Sequence, residues 1–173
     1  MKAFYLQIHE IFELNTTKQQ FTDKQLPTVN FIDLYAGQDY NEEAFEGHLY
    51  PALYLQWNID YKTTPATATV TVRLCYEQLR DTSNLGRNKD EALRFLDFIK
   101  EVDTVLKTIE TDSTGKLSLV SEGLNIEDTI VDTYTLLYNC SYTGNEKNTT
   151  TQYDSGSIDD VAVTGNLYKT LLG

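Results

Sequence analysis

NKDEALRFLDFIKEVDTVLKTIE, residues 88–110, decides the class of the fold. Within it Ala92, Phe95, Ile99, Val102, Leu106 and Ile109 recur at steps of three and four, the spacing of one helical face. The spacing predicts an amphipathic helix over 89–110. Asn88 stands where an N-cap accepts a hydrogen bond from a first-turn N–H, and Glu91 is placed to reach back, a variant of the capping box. Asp90 with Arg94, and Asp103 with Lys107, set opposite charges four apart on the exposed side, worth ~0.2–0.5 kcal/mol each. Thr111 to Gly115 is the expected stop, with Gly115 free to take a positive φ.

Before this helix the period changes to two. In 51–59, Leu53, Leu55, Trp57 and Ile59 alternate with Ala52, Tyr54, Gln56 and Asn58; in 69–77, Val70, Val72, Leu74 and Tyr76 alternate with Thr69, Thr71, Arg73 and Cys75. Each reads as a half-buried strand. Between them Asp60 to Ala68 holds Pro65 and a Thr-rich run, so the pair is expected to form an antiparallel hairpin with a long, protruding loop. Each strand has one apolar face, and the helix offers the stripe that covers it. At ~25 cal/mol per Å² of apolar burial, that contact is the expected main source of stability.

Residues 3–14 fit a helix with Phe4, Ile8 and Ile11 on one face and Tyr5 and Phe12 beside it. TVNFIDLY (28–35) favours a strand ending at Gly37, 116–120 a short strand, and 129–143 a longer one. In the last, Ile130, Tyr134, Leu136, Tyr138, Cys140 and Tyr142 share parity. The expected class is therefore α+β, a mostly antiparallel sheet with a long amphipathic helix packed on one face, occupying 1–143. After Gly144 the run NEKNTTTQYDSGS is polar and turn-rich, a linker. Beyond it Val161, Val163, Leu167, Tyr168, Leu171 and Leu172 form a small apolar set with no place in that core. Residues 144–173 read as an arm whose tip docks on a neighbour, and these six are the expected oligomer interface.

The 173 residues carry a formal charge of −12, which argues against gripping nucleic acid through phosphate neutralisation. Cys75 and Cys140 are too few and too far apart for a secreted disulfide scaffold, and a reducing compartment is the simpler expectation. Lys2 resembles a signal n-region, but His9 and Glu10 interrupt the apolar run and no small-residue cleavage site follows, so export by that route is not expected. No run of ~18 apolar residues predicts a membrane helix. The sequons at Asn15, Asn139 and Asn148 are what chance produces in a chain rich in Asn and Thr.

Motifs for catalysis are sparse. His9 and His48 are the only histidines and neither has metal-ligand spacing to a second soft ligand, so no metal or cofactor is expected. Asp33, Asp39, Glu42, Glu43, Glu46 and His48 read as a solvated loop rather than a hard-cation site, and Glu127, Asp128 and Asp132 as water-facing turn carboxylates. No Gly-x-Ser-x-Gly elbow or Gly-rich phosphate cradle occurs, and Asp154-Ser155-Gly156-Ser157 lies in the polar linker. Arg73 shares a strand face with Cys75 and could depress its pKa, yet no histidine is placed to activate the thiol, so a structural role is the better reading. Tyr35, Tyr40, Tyr50, Tyr54 and Tyr61 fit core and interface equally well.

The segments LYPALYLQW (49–57), TVTVRLCYEQL (69–79) and NKDEALRFLDFIKEVDTVL (88–106) in this order resemble the tail-terminator or tail-completion proteins of tailed bacteriophages, especially the small versions in phages and prophages of Bacteroidota, including crAss-like phages. Pro51 with Ala52 opens the strand, and Asn88, Asp90, Ala92, Leu93, Phe95, Leu96 and Asp97 match the helix pattern. The likeness covers roughly 28–143; the arm departs from it. It implies a non-enzymatic virion protein, assembled in the host cytoplasm into a homo-oligomeric ring of 6 or 12 copies. Such a ring joins adjacent neck, portal or tail proteins, and genome DNA passes through without sequence-specific binding. Two other readings stand beside it: a small cytoplasmic enzyme using Cys75 or the 39–48 acidic loop, and a surface carbohydrate-binding module using exposed tyrosines.

Overall fold

The computed structural model describes residues 1–40, 50–76, 82–125 and 132–144. The elements run α1 (Lys2–Glu13), α2 (Asn15–Asp23), β1 (Phe31–Leu34), a 3₁₀ turn (Gln38–Tyr40), β2 (Ala52–Asp60), β3 (Ala66–Cys75), α3 (Lys89–Ala92), α4 (Arg94–Leu106), β4 (Ser118–Leu124) and β5 (Thr133–Tyr142). The class is α+β. The five strands form one sheet in the order β1-β2-β3-β5-β4, antiparallel except for β1 beside β2.

Parity along the strands builds the core as their period predicts. Leu53 and Leu55 of β2, Val70, Val72 and Leu74 of β3, and Leu136, Tyr138, Cys140 and Tyr142 of β5 join one buried cluster. The helices supply the rest of it: Phe4, Ile8 and Phe12 from α1, Phe21 from α2, and Phe95, Phe98, Ile99, Val102, Val105 and Leu106 from α3–α4's second half, α4. Phe98 lies at its centre, 5.8 Å from Phe21 and 5.2 Å from Tyr76 between ring centroids. Each such side chain, fully withdrawn from water, contributes ~1.5–3 kcal/mol.

Four expectations need correction. A single helix over 89–110 is not formed: the helical run stops at Leu106 and is interrupted at Leu93. There the N–H of Leu96 bonds the Leu93 carbonyl three residues back, a tightened turn. The same tightening, Thr108 onto Val105 and Ile109 onto Leu106, ends α4 while keeping Ile109 fully buried, so periodicity at 109 reflects burial and not helix. Asn88 occupies the N-cap position of α3 without a side-chain cap hydrogen bond, and Glu91 pairs with Arg94 at 3.0 Å. Second, Gly115 does not take a positive φ; Gly37 does, at 85°. At Gly115 the backbone runs close to β5: its N–H bonds the Ser141 carbonyl, and a Cβ there would require the exposed Ser141 hydroxyl to rotate away. Third, the hairpin loop is short, since the ladder continues to Asp60 opposite Thr67 and Ala66 begins β3. Fourth, α2 was not expected.

Candidate functional site

On the sheet face away from the helices, a second apolar group covers one end. Ala52, Tyr54 and Cys75 are buried there, with Phe31, Tyr35 and Tyr50 packed against them. Local chemistry brings Asp39 to this group. Gln38 donates to the Leu34 carbonyl and accepts from the Ala36 N–H, Gly37 turns the chain at φ 85°, and the Tyr40 N–H closes on the Gly37 carbonyl at 3.1 Å. The 3₁₀ turn thus presents Asp39, 0% exposed, to Arg73 of β3, whose Nη1 is 3.6 Å from Oδ2. The same guanidinium lies 4.3 Å from the Tyr35 ring centroid, a cation–π contact. A lone buried carboxylate is strongly disfavoured, so Arg73 is what allows Asp39 to sit there.

The surrounding groups are held protonated. Burial pushes the Cys75 thiol up to about 12, with Asp39 adding to the rise, while a 3.7 Å contact with the Thr133 hydroxyl and the Arg73 charge oppose it. Burial likewise raises Tyr54 and Tyr35 to about 12, and Tyr50 higher still. A thiol acts as a nucleophile only as thiolate, and burial favours the protonated form of Cys75. The arrangement clamps the 35–40 turn onto the sheet.

Beside the clamp, Arg73 also borders an open groove of about 350 Å³ lined by Glu122, Gly123 and Thr135. The sheet ends on two edges among the described residues, β1 and β4. Edge strand β4 exposes Val120 and Leu124, each 54% accessible. Glu101 of α4 is 4% exposed and ion-paired with Lys24, fastening α4 to the end of α2; sequence reasoning did not single it out.

Of the residues singled out in the sequence, the structure brings Asp39 together with Arg73, Cys75, Tyr35, Tyr50 and Tyr54. Asp39 is buried rather than part of a solvated loop, which corrects that reading. Asp33 hydrogen-bonds the Leu34 N–H at the β1 edge. Tyr40 and Tyr61 are exposed. Glu42, Glu43, Glu46, His48, Glu127 and Asp128 lie outside the described residues, as do Val161, Val163, Leu167, Tyr168, Leu171 and Leu172. Among the described residues no group of three His, Cys, Asp or Glu is placed to hold a metal ion, and no helix is long and apolar enough to cross a membrane. No family model matches the chain, and no curated protein matches it in sequence.

Proposed function

We propose that this chain is a non-catalytic virion subunit that assembles into a ring at the phage neck or tail, joining head and tail around the DNA channel. The observation that carries the reading is a sheet that, among the described residues, ends on two unlike strands, β1 and β4. A closed ring needs a heterologous contact in which one patch meets a different patch on the next copy, and two unlike edges at opposite ends of one sheet supply such a pair. The resemblance of 28–143 to tail-terminator proteins supplies the biological setting. A net charge of −12 fits a subunit past which DNA slides without adhering. In the assembled ring the arm, with Val161, Val163, Leu167, Tyr168, Leu171 and Leu172, reaches the neighbouring copy or the adjoining ring. The complete burial and raised pKa of Cys75 weigh against the enzyme alternative that uses it.

Cryo-electron microscopy of purified particles, with mass spectrometry of their proteins, tests the reading. Density for the chain as a ring of 6 or 12 copies between head and tail is the expected result. Absence of the protein from purified virions ends the proposal.

A further inference from the structure

We infer that the groove beside Arg73, on the sheet face away from the helices, is a binding site for a single neutral sugar unit. The inference stands apart from the ring reading. It also differs from sugar binding through exposed tyrosines, since none of Tyr35, Tyr40, Tyr50, Tyr54 and Tyr61 lines this groove.

The first sign is a glycine. Gly123 lies within β4, where a residue without a side chain costs backbone entropy and packs against nothing. Gly37 is required by its φ of 85°, but Gly123 is not in the left-handed region, and a Cβ there would meet nothing within 4 Å. The bulge of β4 lies earlier, between Leu119 and Ser121. Neither backbone strain, nor crowding, nor the bulge calls for glycine at this position. The reason that remains for a glycine inside a strand is close approach by something from outside the chain.

Cross-strand register builds the rest of the groove. Tyr54, Arg73, Thr135 and Gly123 stand opposite one another on β2, β3, β5 and β4, and so share one face. The 35–40 turn covers the Tyr54 end of this row. From Arg73 to Gly123 the row crosses two strand spacings, roughly 10 Å, and opens into the groove of about 350 Å³. That is the small end of the ~300–1,000 Å³ typical of ligand pockets. Arg73 brings donors that the fold leaves unused: its 3.6 Å contact with Asp39 is an ion pair beyond hydrogen-bond length, and its Nε is buried without a hydrogen-bond partner. A guanidinium donates and cannot accept, whereas the hydroxyls of Ser121 and Thr135, both in the lining, do either.

Charge and polarity select the ligand. Asp39 already balances Arg73, and Glu122 in the lining adds a negative charge, so an anion finds no net attraction, while Arg73 repels a cation. Leu124 is the one apolar side chain among the described residues of the lining, which leaves a lipid or a flat aromatic little to bury against. An uncharged ring dense in hydroxyls meets all of these conditions. Its oxygens accept from Arg73, its hydroxyls exchange hydrogen bonds with Ser121 and Thr135, and it lies close over Gly123.

Gly123→Val fills the groove at a position with room for the side chain and no strained φ. The nitrogen-15-labelled full-length chain is titrated with glucose, galactose, mannose and N-acetylglucosamine, each as the free sugar and as its methyl glycoside, with glucuronate as the anionic comparison. At least one neutral sugar should give saturable shifts at the amides of Gly123 and Thr135 and at the Arg73 Nε–H, with Kd in the ~mM range. Gly123→Val should weaken that binding by about tenfold or more, with a urea midpoint equal to or above the wild-type value, because valine favours strands. Thr135→Val, which removes a hydroxyl from the lining, should weaken it as well. Binding of the methyl glycoside supports a glycan end as the source, and binding of the free sugar alone supports a free sugar. Absence of saturable shifts with every neutral sugar overturns the inference. So does equal binding by wild type and Gly123→Val, or tighter binding of glucuronate than of any neutral sugar.

Discussion

The Tyr138 hydroxyl donates to Asp103 Oδ1 at 2.9 Å, joining the middle of β5 to the helix α4 across 35 positions of sequence. Asp103 is shared with Lys107, whose Nζ is 2.6 Å from Oδ2. One carboxylate thus satisfies the polar end of a fully buried tyrosine and one cation on the helix surface. Tyr138→Phe should keep the ring and lose the hydrogen bond. A fall in unfolding free energy of about 1 kcal/mol is expected, read from urea denaturation. A loss near the ~3–5 kcal/mol typical of deleting a buried aromatic ring would show that the ring itself had shifted.

Alkaline pH should destabilise the fold. Cys75, Tyr35 and Tyr54 are each raised to about 12, and Tyr138 is raised by burial, reinforced by Asp103. Unfolded, the thiol and phenols release protons near their ordinary values of 9.0 and 10.0. Since the folded values lie above the unfolded ones, their contribution to stability is fully present below pH 9 and is lost as pH rises towards 12. Urea midpoints should be level from about pH 7 to 8.5 and decline steadily above about 9.5. A midpoint unchanged at pH 10.5 would contradict the burial of these groups.

Asp39→Ala should leave Arg73 with a charge that is mostly withdrawn from water and unpaired. Deleting one partner of a buried pair costs ~3–5 kcal/mol; Arg73 keeps some solvent contact, so about 2–3 kcal/mol is expected here. The double variant Asp39→Ala/Arg73→Met should recover part of that loss. Additive losses in the cycle would mean that the two groups do not interact.

Cys75 and Cys140 are both free, both buried, and both raised in pKa by that burial. An aromatic disulfide reagent at pH 7.5 should leave both thiols untouched in the native protein and titrate two per chain after addition of denaturant. Rapid modification of one thiol without denaturant would place Cys75 or Cys140 at the surface.

The sheet and its inward face were legible because strand parity is a local signal: Leu53, Val70, Leu136 and Tyr138 are buried as their spacing requires. α2 was not, because NTTKQQFTD is polar almost throughout and only Thr17 and Phe21 turn inward. The helix forms where α1 ends, at Leu14 in extended backbone (φ −60°, ψ 133°), and packs through Phe21 on Phe98. The direction of β1 was equally hidden, since strand composition does not distinguish a parallel neighbour from an antiparallel one. Asp39 looked like one acid among several; what buries it is Arg73, 34 positions later, on the opposite parity of β3. Long-range pairing of that kind leaves no trace in a local pattern.

The last strand among the described residues, β5, lies between β3 and β4 and bonds to both. During synthesis β4 emerges first with no partner waiting for it, and the β2–β3 hairpin keeps one flank bare until Tyr142 has left the ribosome. At ~5–20 residues per second, the interval between the end of β4 and the end of β5 lasts about one to four seconds. Closure of the sheet during synthesis therefore waits on β5, the element that joins its two halves.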